Sequence, residues 1–403
     1  MTAPTSPEFD LAAACCIWPP SPRRDRRLEA ALAAPINWGR FVDMVARHRI
    51  QGLAHAALSG NGAVPDETRR SLAALGQTLA YDALRLTREA LRLDQAFADA
   101  GIPVAFIKGP VLAQLIHGTV GLRQCKDLDL LVPIEALPAA RQLLAGRGYR
   151  RIVPPEVLLP HLEARWIRDN KDFEYLHPQS RIQIELHWRL FENRCLMPEV
   201  PPPERWVTVA IMAGARLRTL APTDLLLYLC LHGAVTAWFR MKWLADVDSF
   251  IAKDPAALQP LVTIAAQRNL LRPVAQGLLL CQRLFGTELP ADIERILPKG
   301  RAVKYLVATG LRAMNTGEGT NELARVPFAS TRINLARFLL KSDWRYRGTE
   351  ASFVLNSLED WITVPLPPGF AFLYPFLRLP LWIARKIRKV VAAGRIKKNR
   401  LVP

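Results

Sequence analysis

Apolar residues recur along this chain with two periods, and the change from one to the other divides it. From Arg27 to Gly60 the period is helical: Trp38, Phe41, Val42, Val45 and Ala46 fall at three- and four-residue steps, with Asn37 placed as an N-cap. A second helical stretch runs from about Asp66 to Ala100, where Leu72, Leu75, Leu79, Leu84, Leu91, Leu93 and Phe97 form a stripe among arginines. Pro65 before it and Gly101 after it mark the ends. Ahead of both, Pro4, Pro7, Pro19, Pro20 and Pro22 bracket the apolar patch Leu11 to Trp18, which predicts a short packed helix followed by an extended linker.

The period then shortens. Val104-Ala105-Phe106-Ile107 reads as a buried strand, and a helix from Val111 to His117 follows the Gly109-Pro110 turn, with proline in the first-turn position it tolerates best. Leu128 to Val132 is a second strand closed by Pro133, and Ile134 to Gly146 a further helix. Asp172 to Leu176 and Arg181 to Trp188 alternate apolar and polar around His177-Pro178-Gln179-Ser180, the pattern of an antiparallel hairpin with one buried face. Beyond Pro201-Pro202-Pro203 the reading is helical again. Thr223-Asp224 is expected to cap a helix from Leu225 to Ala237, Phe239 to Ile251 follows, and further helices are expected at 256–268, 272–285, 291–296, 301–314 and 330–340.

This pattern predicts an α+β, mostly helical protein: a small mixed β-sheet between helical regions. The divisions are an N-terminal helical region (1–100), an α/β core (101–195), a C-terminal helical domain (196–345) and an apolar then basic tail (346–403). A chain of 403 residues with half of them hydrophobic has enough apolar material for two or three cores.

The net charge of +18 raises nucleic acid as a partner, but its distribution weakens that reading. Nine basic residues (Arg378, Arg385, Lys386, Arg388, Lys389, Arg395, Lys397, Lys398 and Arg400) follow Asp360, with no acid among them. Those nine carry half of the excess, so the body is only moderately basic. The apolar run from Phe370 to Ala384 ahead of them suits peripheral membrane contact or a partner helix through 370–403; packing on the protein body is the plain alternative. Six scattered cysteines with no zinc spacing, no signal-peptide pattern and no run of about 18 apolar residues predict a cytoplasmic protein without a membrane span, at most peripheral on the membrane's inner face.

The candidate chemistry centres on Lys108-Gly109-Pro110 and Asp127-Leu128-Asp129. Alternation puts Asp127 and Asp129 on one strand face, where two carboxylates repel unless a cation intervenes. The same alternation sets Gln183, Glu185 and His187 opposite Ile182, Ile184 and Leu186, so Glu185 becomes a third carboxylate if its strand neighbours the first; Asp172 or Glu174 is the alternative. Three acids facing a Lys-Gly turn into a helix make a site for Mg2+ and a polyphosphate, with one ion on the triphosphate and a second activating a hydroxyl. Lys108, Gly109, Arg123 and Lys126 are then the phosphate contacts, and His187 either a nucleotide contact or a strand histidine orienting its neighbours. His232, Arg240, Lys242 and Asp246 are candidates for acceptor or base recognition, with a polar network between helices as the alternative.

Ile107-Lys108-Gly109-Pro110, Gly121-Leu122-Arg123, Asp127 to Val132, Glu185-Leu186-His187-Trp188, Leu231-His232-Gly233-Ala234 and Lys242-Trp243-Leu244-Ala245-Asp246 together resemble the uncharacterised nucleotidyltransferase family of the DNA polymerase beta superfamily, over roughly residues 30 to 260. The resemblance implies a minimal nucleotidyltransferase sheet, magnesium, and transfer of a nucleoside monophosphate, probed first with ATP, with release of pyrophosphate. It suggests an acceptor from natural-product or polysaccharide biosynthesis, a small metabolite or a peptide. Where the superfamily has Gly-Ser at the turn, this chain has Gly109-Pro110. That departure keeps a nucleotide-binding regulatory protein open as an alternative, beside an interaction protein acting through its basic tail.

Overall fold

The structure, a computed structural model, describes residues 5–212, 214–316, 331–356 and 358–384. The N-terminal proline-rich segment is mostly helical. Ser6 caps α1 (Pro7–Cys15) and Ser21 caps α2 (Pro22–Leu32), each accepting from a backbone N–H three residues on, with proline at the first helical position. The expected extended linker is therefore only the few residues between them. Asn37 caps α3 (Trp38–His48) as expected, accepting from Arg40 N–H at 3.0 Å. The stretch read as helical from Arg27 to Gly60 is divided twice, after Leu32 ahead of Pro35 and again at Arg49, which turns left-handed at φ 59° before α4 (Gln51–Leu58). The stripe from Asp66 to Asp99 forms one 34-residue helix, α5.

Five strands make a mixed sheet in the order β1-β2-β5-β4-β3, where β1 is Ala105–Phe106, β2 Asp127–Leu131, β3 Arg150–Val153, β4 Asp172–Leu176 and β5 Gln183–His187. The hairpin β4–β5 forms as expected, and β5 lies beside β2 in parallel. Helix α6 (Pro110–His117) links β1 to β2, and α7 (Leu137–Gly146) and α8 (Pro160–Asp169) flank β3.

Alternation sends one set of side chains from the sheet down onto α5: Phe106, Leu128, Leu130, Phe173, Ile184 and Leu186 are buried with Leu86, Ala90, Leu93 and Phe97. Ala105, Ile107 and Leu131 turn the other way, into a second and larger core. That core gathers Phe9 and Phe41 from the N-terminal helices with Leu226, Trp238 and Phe285 from α9 (Pro222–Val235), the turn after it, and the later helices. The polar face of the sheet thus lies at the seam between two cores.

Two expectations fail beyond Pro203. A second hairpin, β6 (Val207–Met212) and β7 (Ala215–Thr219), precedes the helices, because Val207, Val209 and Ile211 alternate with polar or small residues and Gly214 turns the chain at φ 74°. Asp224 does not cap α9; Arg205 donates to its Oδ2 at 2.7 Å, and α9 starts from Ala221 with Pro222 in its first turn. The remaining helices follow the sequence reading: α10 (Met241–Lys253), α11 (Leu258–Gln267), α12 (Leu271–Phe285), α13 (Ala291–Ile296), α14 (Arg301–Thr316) and α15 (Thr331–Leu339). They are followed by α16 (Trp344–Leu355) and α17 (Leu358–Thr363).

Among the described residues no helix is long and apolar enough to cross a membrane. All six cysteines are free. The basic residues from Arg385 to Arg400 lie outside the described residues.

Candidate active site

Register builds the site. The parallel pair places Asp129 opposite Glu185 and Asp127 opposite Gln183, and the hairpin places Glu174 opposite Glu185 and Asp172 opposite His187. Residues paired across a ladder share a face, so five carboxylates and one imidazole rise from the same side of three adjacent strands.

Two lysines reach into this row. Lys108, just past β1, sets its Nζ 2.7 Å from Asp129 Oδ1 and 5.7 Å from the centre of the Tyr228 ring on α9. Lys171, just ahead of β4, pairs with Asp172 and lies 3.9 Å from Glu185 Oε2. His187 Nε2 is 3.2 Å from Glu185 Oε2 and 3.4 Å from Asp129 Oδ1, and its Nδ1 is 3.7 Å from Asp172 Oδ2. Neither ring nitrogen has a well-directed hydrogen bond, although the ring is buried.

The electrostatics divide the two aspartates. Burial, then Asp129 and Glu185, push the Asp127 carboxyl up. Asp129 is buried more deeply, yet Lys108 and then His187 hold its carboxyl below the usual range. Burial and Lys171 oppose a charge on His187, but its contacts with Asp129 and Glu185 outweigh them and raise its pKa. Lys108 is kept charged against burial, chiefly by Asp129.

One oxygen each from Asp129 and Glu185 and one nitrogen of His187 lie within 4.8 Å of one another. Two hard oxygen donors and an imidazole without a satisfied hydrogen bond form a donor set that suits a divalent cation, and the raised Asp127 carboxyl is what an added positive charge would relieve. His187, expected at the nucleotide or as an orienting strand residue, stands inside the donor group. Asp127 shares the face but is not one of its three members.

The other expected residues separate by burial. Arg123 is buried, and its Nε and Nη2 grip Asp246 of α10 at 2.8 and 2.9 Å. A guanidinium whose fork is filled this way braces the sheet against the helices, and Arg123, expected at a phosphate, is engaged with Asp246 in this structure. Asp246, expected near the acceptor, is the other half of that brace. Lys242 donates to the Gln124 carbonyl at 3.0 Å, and burial together with Arg123 pushes its pKa down to about 7. His232 backs the site, its ring edge-on to Trp243 at 5.1 Å and kept neutral by burial and Lys108. Arg240 donates to the Arg47 carbonyl.

Lys126 is exposed at the mouth beside Asp127, and Arg49, then its own burial and Arg240, lower its pKa. Sequence reasoning missed Lys171 and Arg49. Lys171 immediately precedes the Asp172-x-Glu174 alternation, a signal that was available; Arg49 reaches the site only through the left-handed end of α3.

The turn itself is glycine-dependent. Gly109 holds φ 70° and ψ −142°, a conformation closed to other residues, and Pro110 begins α6 with no side-chain cap. No hydroxyl or N–H is offered by Pro110.

A mixed sheet with Asp-x-Asp on one strand and a third carboxylate on its parallel neighbour, beside a lysine-glycine turn into a helix, defines a nucleotidyltransferase. Residues 34–286, more than half of the chain, match the family described as uncharacterised nucleotidyltransferase, and the chain belongs to that family. No curated protein matches it. The protein is thus a transferase acting on a nucleotide, with an acidic and imidazole site of the kind that holds a metal.

Proposed function

We propose that this protein transfers a nucleoside monophosphate from an NTP, ATP in the first instance, to a hydroxyl or phosphate acceptor with the help of two Mg2+ ions. The observation that carries the reading is the register of β2 on β5, which pairs Asp129 with Glu185 and keeps Asp127 and His187 on the same face. Asp127 and Asp129 would hold both ions, and Glu185 and His187 complete the position nearest the acceptor. Bound there, the ions would lower the pKa of the acceptor hydroxyl and offset charge on the transferring phosphate.

The chain's own residues do the rest. Glu185 is held ionised by His187, Lys108 and Lys171 in spite of burial, which keeps it ready as an ion ligand, and it can take the acceptor's proton only once bound ions have lowered that hydroxyl's pKa. Lys126 and its cationic neighbours Arg49 and Arg240 form the positive side of the mouth and orient the phosphates. Lys108 neutralises Asp129 and can pass to a phosphate when a cation takes over that role. Residues 101–195 carry this chemistry, and the acceptor belongs to natural-product or polysaccharide biosynthesis, a small metabolite or a peptide. Unpaired cysteines favour the cytoplasm, at most with peripheral contact on the inner face of its membrane.

The test is pyrophosphate release with Mg2+ and each of the four ribonucleotides, followed by mass spectrometry of acceptors incubated with labelled ATP. A second reading is favoured by Pro110: a nucleotide-binding regulator that has lost turnover. Nucleotide binding without pyrophosphate release under any acceptor would select it.

A further inference from the structure

The segment after α17 presents its apolar side to solvent. Residues 374–384 are helical, preceded by a short turn of helix from Pro368 to Leu373. Its inner side is anchored. Tyr374 is fully buried, stacks on Trp361 with ring centres 3.9 Å apart, donates its hydroxyl to the Val364 carbonyl at 2.7 Å and accepts from Leu366 N–H at 2.8 Å. Arg378 donates to Asp360 Oδ2 at 3.0 Å and to the Val354 carbonyl at 3.2 Å. Trp361 in turn lies under the guanidinium of Arg165 on α8, which ties the segment to the sheet-side helices.

The outer side carries Phe372, Phe376, Leu379 and Ile383, spaced four, three and four residues apart, so they line one stripe. They are 65%, 76%, 63% and 44% exposed, and Phe370 beside them is 52% exposed. Ordinary surface helices put this stripe inward. Between Trp361 and Ala384 the only charged residue is Arg378, and its head is taken up by Asp360. The sequence then runs on through Arg385, Lys386, Arg388, Lys389, Arg395, Lys397, Lys398 and Arg400 with no acidic residue.

We propose that the stripe Phe372, Phe376, Leu379 and Ile383 docks this protein on an anionic lipid surface. The apolar side chains enter the acyl boundary while the adjoining arginines and lysines meet the headgroups. Charge selects this occupant. A second copy of the chain seated on the same stripe would bring two such basic stretches together, and like charges at close range oppose that association. Among the described residues no helix is long and apolar enough to cross a bilayer, and a basic run follows the stripe in sequence, which suits a contact parallel to the surface. This inference stands on residues far in sequence from the carboxylate row and does not depend on the reaction catalysed there.

The experiment is flotation of the full-length protein with vesicles of phosphatidylcholine alone and of phosphatidylcholine with about one third phosphatidylglycerol, at low and high salt. The expected result is partition onto the anionic vesicles only, weakened by salt. Phe376→Glu with Leu379→Glu should weaken that partition by roughly ten-fold or more, since two anchors become anions. Replacing Lys386, Arg388 and Lys389 together by Glu should do the same. Phe376 and Leu379 are solvent-facing, so an unchanged Tm accompanies the loss in that variant. Wild-type protein that stays in the aqueous phase with both lipids overturns the proposal, as does a Phe376→Glu, Leu379→Glu protein that floats like wild type. A wild-type dimer in sedimentation that this double substitution dissociates, without vesicle binding, would assign the stripe to a second copy and also overturn it.

Discussion

Asp129 lies directly across the parallel pair from Glu185, and both carboxylates converge on Nε2 of His187, at 3.4 and 3.2 Å. Asp127, two residues earlier on the same face, shares the charge of this cluster, and among the described residues no lysine lies at ion-pair distance from it. The two aspartates of one motif therefore respond to neutralisation in opposite ways.

Asp127→Asn should raise the Tm of the metal-free protein, because burial, Asp129 and Glu185 already oppose its charge. Asp129→Asn should lower it, at a cost of about 3 kcal/mol, because Lys108 is left without its partner in a site largely closed to water. Both should abolish nucleotide-dependent pyrophosphate release. Thermal melts in chelator, paired with turnover assays, check both signs; turnover retained in either variant removes that carboxylate from the catalytic set.

Arg123→Met should destabilise by about 3 to 5 kcal/mol, since Asp246 would remain buried without its guanidinium. Adding Asp246→Leu should recover most of the loss. Urea unfolding of the two single variants and the double variant gives the coupling energy directly. If Arg123 is a strut and not a phosphate contact, the double variant keeps the wild-type KM for nucleotide.

Acid should weaken the join between α3 and α10. His48 is fully buried, its Nδ1 accepting from Met241 N–H at 3.1 Å, and burial together with Arg47 and Arg240 pushes its pKa down to about 3. The folded state therefore binds no proton there while the unfolded chain binds one below its ordinary value of about 6.5. Stability is complete above that value and falls as pH drops towards the folded pKa, by about 2 kcal/mol on reaching about pH 5. His117, pushed down to about 4 by burial, adds to the slope in the same direction. His48→Asn keeps an acceptor near Met241, so its urea midpoint should shift less between about pH 7.5 and about pH 5 than that of wild type.

Gly233→Ala should be costly although the position is helical and alanine is the better helix former. A Cβ there would sit 2.3 Å from the Trp238 ring, which turns back over α9 from a left-handed residue at φ 54°. Overpacking of this kind costs about 1 to 3 kcal/mol, and calorimetry should show it as a lowered Tm. A Tm equal to wild type would mean that Trp238 can vacate its seat.

What could be read in advance follows from range. Asp127, Asp129, Glu185 and His187 were legible because a strand's two-residue period places them without knowledge of the rest of the fold, and the alternation of Asp172 to Trp188 announced its own hairpin. Lys108 on Asp129 was not legible, since it depends on β1 running antiparallel to β2. Arg123 and Asp246 are 123 positions apart. An arginine poised for phosphate and an arginine poised for a buried aspartate look identical in sequence, and only the distance decides. The hairpin at 207–219 was written in Val207, Val209 and Ile211, but prolines before it and the apolar run of α9 after it drew the reading towards helix. The apolar patch from Leu11 to Trp18 announced that α1 is packed but not its partners, which include α3 and the distant α12.

That burial sets where the protein can be cut. Phe9, Leu11, Ala12 and Cys15 fill space among the C-terminal helices, and Glu8 accepts from the Asn37 N–H at 3.0 Å at the start of α3. The matched span of 34–286 omits all of them. A recombinant fragment trimmed to that span would keep every carboxylate of the site yet strip Phe9 and Leu11 at one end, and Leu306 and Met314 at the other, from the core that holds Phe41, Val45 and Phe285. Its insolubility would then report on a core stripped from both ends, not on the catalytic sheet.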